Sequence, residues 1–207
     1  MVPIGDWVMR AACLQLARWH EAPAGAHLTV AVNVSPSQFA QADFVEHVLG
    51  IVRDTGARAD HLKLELTESM LAKDLDDIMR KMTALKLHGV RFSLDDFGTG
   101  FSSLTYLRQL PLDQLKIDQS FVRNMLASSK DASIARTVVI LGQSLGLDVI
   151  AEGVETSEHR RTLAEMGCSS YQGYFFAKPL PVAEFDAFVA ARTAPSAAAT
   201  ADAVVPA

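Results

Sequence analysis

Hydrophobic residues recur along this chain in two alternating patterns. Leu75, Ile78, Met82 and Leu85 share one helical face, as do Ile134, Val138, Leu141 and Leu145, because 3.6-residue turns bring positions i, i+3, i+4 and i+7 into line. Gly89 and Gly146 follow these runs, and Gly167 follows a third, weaker one that starts after Thr156. Glycine adopts the left-handed conformation without a Cβ penalty, so each is a helix stop. Just past them stand the strand-like runs Val90–Leu94, Leu147–Ala151 and Cys168–Gln172. The repeating order predicts strands near 27–34, 62–67, 91–96, 114–118, 148–153 and 169–174. Helices are predicted near 6–20, 42–55, 75–88, 100–109, 131–145, 156–166 and 181–192. Alternation of this kind implies parallel strands with right-handed crossovers, which both a doubly wound open sheet and a (β/α)₈ barrel satisfy. Residues 1–192 are read as one domain. Residues 193–207, small and Pro-punctuated with no large apolar face, are read as a disordered tail.

Composition narrows the function classes. The chain has 207 residues, 49% hydrophobic and 21% charged, with a net charge of −5, which suits one soluble domain with a full core. Its 19 Lys and Arg are scattered, so no basic stripe exists to neutralise phosphates and neither DNA nor RNA is an expected partner. Cys13 and Cys168 have no metal-ligand spacing and read as idle thiols in a reducing compartment. No apolar run approaches the roughly 18–20 residues of a membrane span. The opening stretch carries Asp6 and Arg10 and lacks a basic leader, so a cytoplasmic location is expected.

The chemistry lies at the strand ends. Asn33, Glu65, Asp95–Asp96, Lys116 with Asp118, Glu152 and Gln172 each stand near the C-terminal end of a predicted strand, and Glu68 follows Glu65 by three residues. Singly, such residues are commonly helix caps or solvated side chains. Collectively they fall on the edge where α/β folds assemble sites. Adjacent carboxylates repel and need cations nearby to stay ionised. Hard oxygen donors with one amide suit Mg²⁺ or Mn²⁺ rather than zinc, and the six histidines are dispersed. The residues therefore point to metal-assisted hydrolysis of a phosphate ester, with Lys116 stabilising phosphate charge or orienting the water.

Six collinear motifs carry a family resemblance: Asn33-Val-Ser-Pro, Glu65-Leu-Thr-Glu-Ser, Asp95-Asp-Phe-Gly-Thr-Gly-Phe-Ser-Ser-Leu, Leu115-Lys-Ile-Asp, Ala151-Glu-Gly-Val-Glu and Gln172-Gly-Tyr…Lys178-Pro. From Ile4 to about Phe188 the chain resembles the bacterial EAL-domain family, which hydrolyses cyclic di-GMP to linear pGpG. The resemblance implies a TIM-type (β/α)₈ barrel with one antiparallel strand, and two Mg²⁺ or Mn²⁺ ions assisting water attack. It implies Asn33, Glu65 and Asp95 as ligands of one metal, Asp95 and Asp96 of the other, and Glu152 near a metal. Lys116 and Glu152 would contact or activate the attacking water, with Gln172 beside them. Glu68 would hold the loop after Asp95 through its backbone. Asp118, Glu155 and Pro179 would line the substrate groove, and the Asp95–Leu107 loop and helix would form a homodimer surface.

The sequence departs from the family at one place. The tripeptide Glu-Ala-Leu occurs nowhere in the 207 residues, and the chain opens at the family's helix before Asn33. Six strands against eight imply an incomplete barrel without its first two strand–helix units. The missing glutamate would supply a carboxylate to the first metal. The expected function is a cyclic di-GMP phosphodiesterase module whose isolated activity depends on that strand. The alternative is a non-catalytic cyclic di-GMP sensor or a protein-interaction scaffold.

Overall fold

The computed structural model describes residues 2–72, 74–98 and 104–193. Of the tail expected over 193–207, only Thr193 lies within these residues; the remainder, like residues 99–103 of the expected dimer loop, lies outside them. The helices are α1 (Val2–Glu21), α2 (Pro36–Phe39), α3 (Phe44–Thr55), α4 (Leu75–Lys86), α5 (Leu104–Gln109), α6 (Gln119–Asn124), α7 (Ser129–Leu145), α8 (Ser157–Glu165) and α9 (Val182–Thr193). The strands are β1 (Val30–Asn33), β2 (Leu62–Thr67), β3 (Arg91–Phe97), β4 (Gln114–Ile117), β5 (Asp148–Ala151) and β6 (Ser170–Tyr171).

All six predicted strands are present, with β1 and β6 shorter than their apolar runs. Every pairing is parallel, and the spatial order β1-β2-β3-β4-β5-β6 repeats the chain order. That order decides between the two architectures: a doubly wound sheet reverses at a switch point, whereas a barrel advances strand by strand. Six strands form an open, incomplete barrel, and the antiparallel strand is not among them. Two short helices escape the hydrophobic pattern. In α2, Ser35 accepts from the Gln38 N–H while the Gln38 side chain accepts from the Ser35 N–H, a reciprocal capping box with Pro36 in the first turn. In α6, Asp118 caps the helix by accepting from the Ser120 N–H.

Alternation along each strand sorts the side chains. Leu62, Leu64 and Leu66, then Phe92 and Leu94, then Leu115 and Ile117 face the helices and are almost completely buried. They form one core with Leu16 of α1, Val48 of α3, Met82 and Leu85 of α4 and Val139 of α7, at roughly 1.5–3 kcal/mol per large apolar side chain. Helix α7 stops at Gly146, whose φ of 70° is the left-handed cap predicted for it. The other sheet face carries Asn33, Lys63, Glu65, Ser93, Asp95, Gln114 and Lys116, a polar set where a closed barrel is usually packed with branched apolar residues. Beneath the strand ends, the Lys63 ammonium and the Ser93 hydroxyl both donate to Gln114 Oε1, at 2.9 and 3.3 Å.

Candidate active site

Parallel pairing carries the polar ends of the strands to one rim. Asn33 lies opposite Glu65 in the β1–β2 register, and Thr67 opposite Asp95 in the β2–β3 register. Between Leu94 and Phe97 the β3–β4 register shifts, and Asp96 takes a φ of 55°. Such a bulge re-aims side chains at a sheet edge, and aspartate tolerates the left-handed region better than most residues. Adjacent carboxylates that would otherwise point to opposite faces are thereby brought to one site: Asp95 faces Lys116, and Asp96 faces Asp118.

Lys116 stands at the centre. Its Nζ lies 2.7 Å from Glu152 Oε1, 2.8 Å from Glu65 Oε2 and 3.1 Å from Asp95 Oδ1. The lysine side chain is only 5% exposed, and those of Glu65, Asp95 and Glu152 are 10%, 14% and 17% exposed. Burial alone would discharge the ammonium, but hydrogen bonds to Glu152 and Glu65 outweigh it and raise its pKa above the ordinary lysine value. Lys116 is therefore a fixed cation rather than a base. Burial raises the Glu152 carboxyl, against the pull of Lys116 and with the push of Asp95 and Glu65. Asp96 is raised by burial, by the charges of Asp95 and Asp118, and by a hydrogen bond with Asp118.

Supporting contacts position these groups. The Gly98 N–H donates to Glu68 Oε2 at 3.1 Å, tying the start of the loop after β3 to the turn after β2. Asp118 accepts from both the N–H and the hydroxyl of Ser120. On the far side of Glu152 a cavity of about 290 Å³ opens, lined by Glu155 and Gln172 together with Gln119, Arg123 and Tyr174. The last three were not singled out in the sequence, although the Asp118-x-Ser120 cap was a legible signal for the helix carrying Gln119 and Arg123. Pro179 is exposed and does not line this cavity. Asn33 is exposed at its strand end.

The donor set suits a hard divalent cation. Three carboxylates already converge on one positive charge, and an amide lies in register beside Glu65. Among the described residues, no group of three or more His, Cys, Asp or Glu side chains is arranged to hold a metal ion; Lys116 stands among Glu65, Asp95 and Glu152.

The chain is 43% identical over 188 residues to the cyclic di-GMP phosphodiesterase NbdA of Pseudomonas aeruginosa, covering 91% of this chain and 24% of that protein. It spans about a quarter of the length of the curated relatives it matches. Among solved structures it is similar to the MucR phosphodiesterase of Pseudomonas aeruginosa in complex with cyclic di-GMP, at TM-score 0.86 and 40% identity over 89% of this chain and 74% of that one. A manganese and cyclic di-GMP complex of Klebsiella pneumoniae BlrP1 matches at TM-score 0.76 and 30% identity, covering 86% and 45%. The EAL domain model matches residues 1–179, and with the parallel strand order and the carboxylate–lysine rim this establishes that the chain belongs to the EAL-domain family.

Proposed function

We propose that this chain is a cyclic di-GMP phosphodiesterase module, hydrolysing one phosphodiester bond to give linear pGpG. The observation that carries the reading is the Lys116 ammonium held among Glu65, Asp95 and Glu152 at the C-terminal rim of the sheet. Lys116 offers a fixed positive charge to a phosphate oxygen or to the attacking water. Glu152, whose pKa burial raises, is suited to accept the water proton at its carboxylate. Water adds to phosphorus, the P–O3′ bond breaks, and a 5′-phosphate and a 3′-hydroxyl result. Glu65, Asp95, Asp96, Asn33 and Glu152 are the residues to hold two Mg²⁺ or Mn²⁺ ions, which when bound supply Lewis-acid polarisation of phosphate and water. Gln172 sits beside Glu152, Asp118 and Glu155 line the substrate groove with Pro179 farther out, and Glu68 steadies the loop after β3. The residues around this loop and α5 form the homodimer surface. No described helix is long and apolar enough to cross a membrane.

The test is incubation of the purified protein, with a strand bearing Glu-Ala-Leu restored ahead of it, with cyclic di-GMP and Mg²⁺ or Mn²⁺, and chromatographic detection of pGpG. Appearance of pGpG supports hydrolysis; neither binding nor product overturns the reading. One observation favours a second reading, that of a non-catalytic sensor or interaction scaffold. Among the described residues the sheet has six strands, and the carboxylates gathered on their rim are one short of the set the resemblance implies, the 207 residues carrying no Glu-Ala-Leu. Calorimetric binding of cyclic di-GMP with Ca²⁺, without turnover in Mg²⁺ or Mn²⁺, separates the sensor from the enzyme.

A further inference from the structure

A groove of about 400 Å³ lies between α1 and α9, and none of the residues lining it belongs to the carboxylate–lysine rim. Its apolar walls include Trp19, Leu28, Val182 and Val189, and Arg18 and Asp186 supply its charges. The two helices are tied across it. The Trp19 indole N–H donates to Asp186 Oδ1 at 2.6 Å, and the Trp19 and Phe185 rings pack with centroids 5.1 Å apart. This tie fixes the helix spacing, so the groove is preformed. Its wall is also closely built: at Gly25 a Cβ would lie 2.6 Å from the Trp19 carbonyl oxygen. The two charges stand differently. Asp186 is committed to the indole N–H, whereas the Arg18 guanidinium is exposed and has no hydrogen-bond or ion-pair partner among the described residues. The volume falls within the range of ligand pockets, roughly 300–1,000 Å³, which are typically apolar with a few placed polar groups.

We propose that this groove binds an amphiphilic carboxylate, with its aliphatic body along Leu28, Val182 and Val189 and its single negative charge on Arg18. The walls favour an aliphatic body because each CH₂ taken from water onto apolar surface adds to affinity. The guanidinium favours a carboxylate head, since its planar fork offers two parallel N–H donors to the two oxygens. Asp186 limits the head to one charge. A dianionic head such as a phosphate monoester would bring a second negative charge toward that carboxylate and be repelled. A cationic head fits least, because Arg18 repels it and Asp186 is already engaged. The site is independent of the phosphodiesterase reading, with which it shares no residue. It still bears on the rim by position: Val182 opens α9 and stands three residues after Pro179, so an occupied groove fixes the helix that follows the Gln172–Pro179 segment.

The experiment uses tryptophan fluorescence. The chain has two tryptophans, Trp7 and Trp19, and Trp7 is 70% exposed, so Trp7→Phe leaves the groove-wall indole as the sole reporter. The full chain carrying this substitution is titrated with octanoate, octanol and octylammonium below their aggregation concentrations. Octanoate should change the Trp19 emission saturably and slow hydrogen exchange over α9. It should bind at least about fivefold more tightly than octanol, the upper end for an exposed ion pair, and octylammonium should bind more weakly than octanol. Arg18→Gln should bring octanoate down to the level of octanol and leave octanol unchanged. Val182→Glu, which sets a carboxylate in the exposed part of the wall, should weaken octanoate more than octanol. Octanol or octylammonium binding as tightly as octanoate overturns the proposal, as does an undiminished preference for octanoate in Arg18→Gln. So does octanoate binding that Val182→Glu leaves unchanged, or no saturable change at all; the phosphodiesterase reading stands in each case. Arg18 and Val182 are exposed, so the melting temperature should be unchanged in both variants, which separates loss of a contact from loss of the fold.

Discussion

Replacing Lys116 with methionine removes the only ammonium that the described structure places among Glu65, Asp95 and Glu152. Removing one partner of a buried ion pair costs about 3–5 kcal/mol, since the remaining charge is left uncompensated. Three carboxylates are stranded here, with side chains between 10% and 17% exposed, so the full range applies. In a domain of this length each kcal/mol lowers Tm by roughly 2–4 °C, giving a fall of about 6–20 °C for Lys116→Met. The loss has a sign with pH. Glu152 is already raised by burial, and the ammonium that opposes this rise is gone. A carboxyl raised above its unfolded value stabilises the folded state as pH falls, so the deficit should narrow between pH 7.5 and pH 5. Mg²⁺ or Mn²⁺ should also restore stability by replacing the lost charge, by about 2.7 kcal/mol at a hundredfold excess over Kd. Differential scanning calorimetry in chelator, then in Mn²⁺, at both pH values reads all three effects. A variant melting within about 2 °C of the wild type in chelator at pH 7.5, a shift smaller than 1 kcal/mol, refutes the electrostatic account of the rim. A large fall in Tm that neither acid nor Mn²⁺ relieves would show that the lysine acts by packing alone.

Three further outcomes follow from the same geometry. Glu68→Gln replaces a charged acceptor for the Gly98 N–H with a neutral one; hydrogen exchange at the Gly98 amide should accelerate roughly tenfold, for about 1.4 kcal/mol of lost protection, with unchanged exchange contradicting the role given to Glu68. Cys13 and Cys168 are both buried, and burial pushes the Cys13 thiol up to about 11, so neither should react with a disulfide reagent at pH 8 until urea is added; prompt labelling of the native chain would count against the packing around them. Phe92→Ala empties a fully buried site between sheet and helices and should cost about 3–5 kcal/mol in urea unfolding, a loss under 1 kcal/mol being incompatible with the core described.

The sequence was most informative where periodicity and chemistry coincide. Glu65, Lys116 and Glu152 each stand near the C-terminal end of a predicted strand, and parallel pairing leaves such residues on the common rim. Which architecture the strands form was open, because alternation of strand and helix does not encode spatial order; the β1-to-β6 progression settles it. The bulge at Asp95–Asp96 was not legible, since the extra residue is defined by the shifted pairing with β4, a contact between segments about twenty residues apart. Helices α2 and α6 are too short to show a hydrophobic period, yet their Ser35–Gln38 and Asp118–Ser120 caps were present in the sequence. Arg123 was missed because the Arg123–Glu155 pair spans 32 positions and neither partner marks the other locally. The central place of Lys116 also exceeded expectation: the lysine had a role toward phosphate and water, but its three carboxylate partners were visible only once the strands were side by side.

The most direct test of the central claim compares the wild type with Asp95→Asn for cyclic di-GMP turnover in Mn²⁺, followed by chromatography. With a strand bearing Glu-Ala-Leu restored ahead of both proteins, the wild type should yield pGpG, and the variant should be at least about a hundredfold slower, the scale of losing an electrostatic group at the reacting centre. Equal rates in the two proteins, or no binding and no product with the wild type, would contradict the claim that the acids gathered around Lys116 form a phosphodiester-cleaving site.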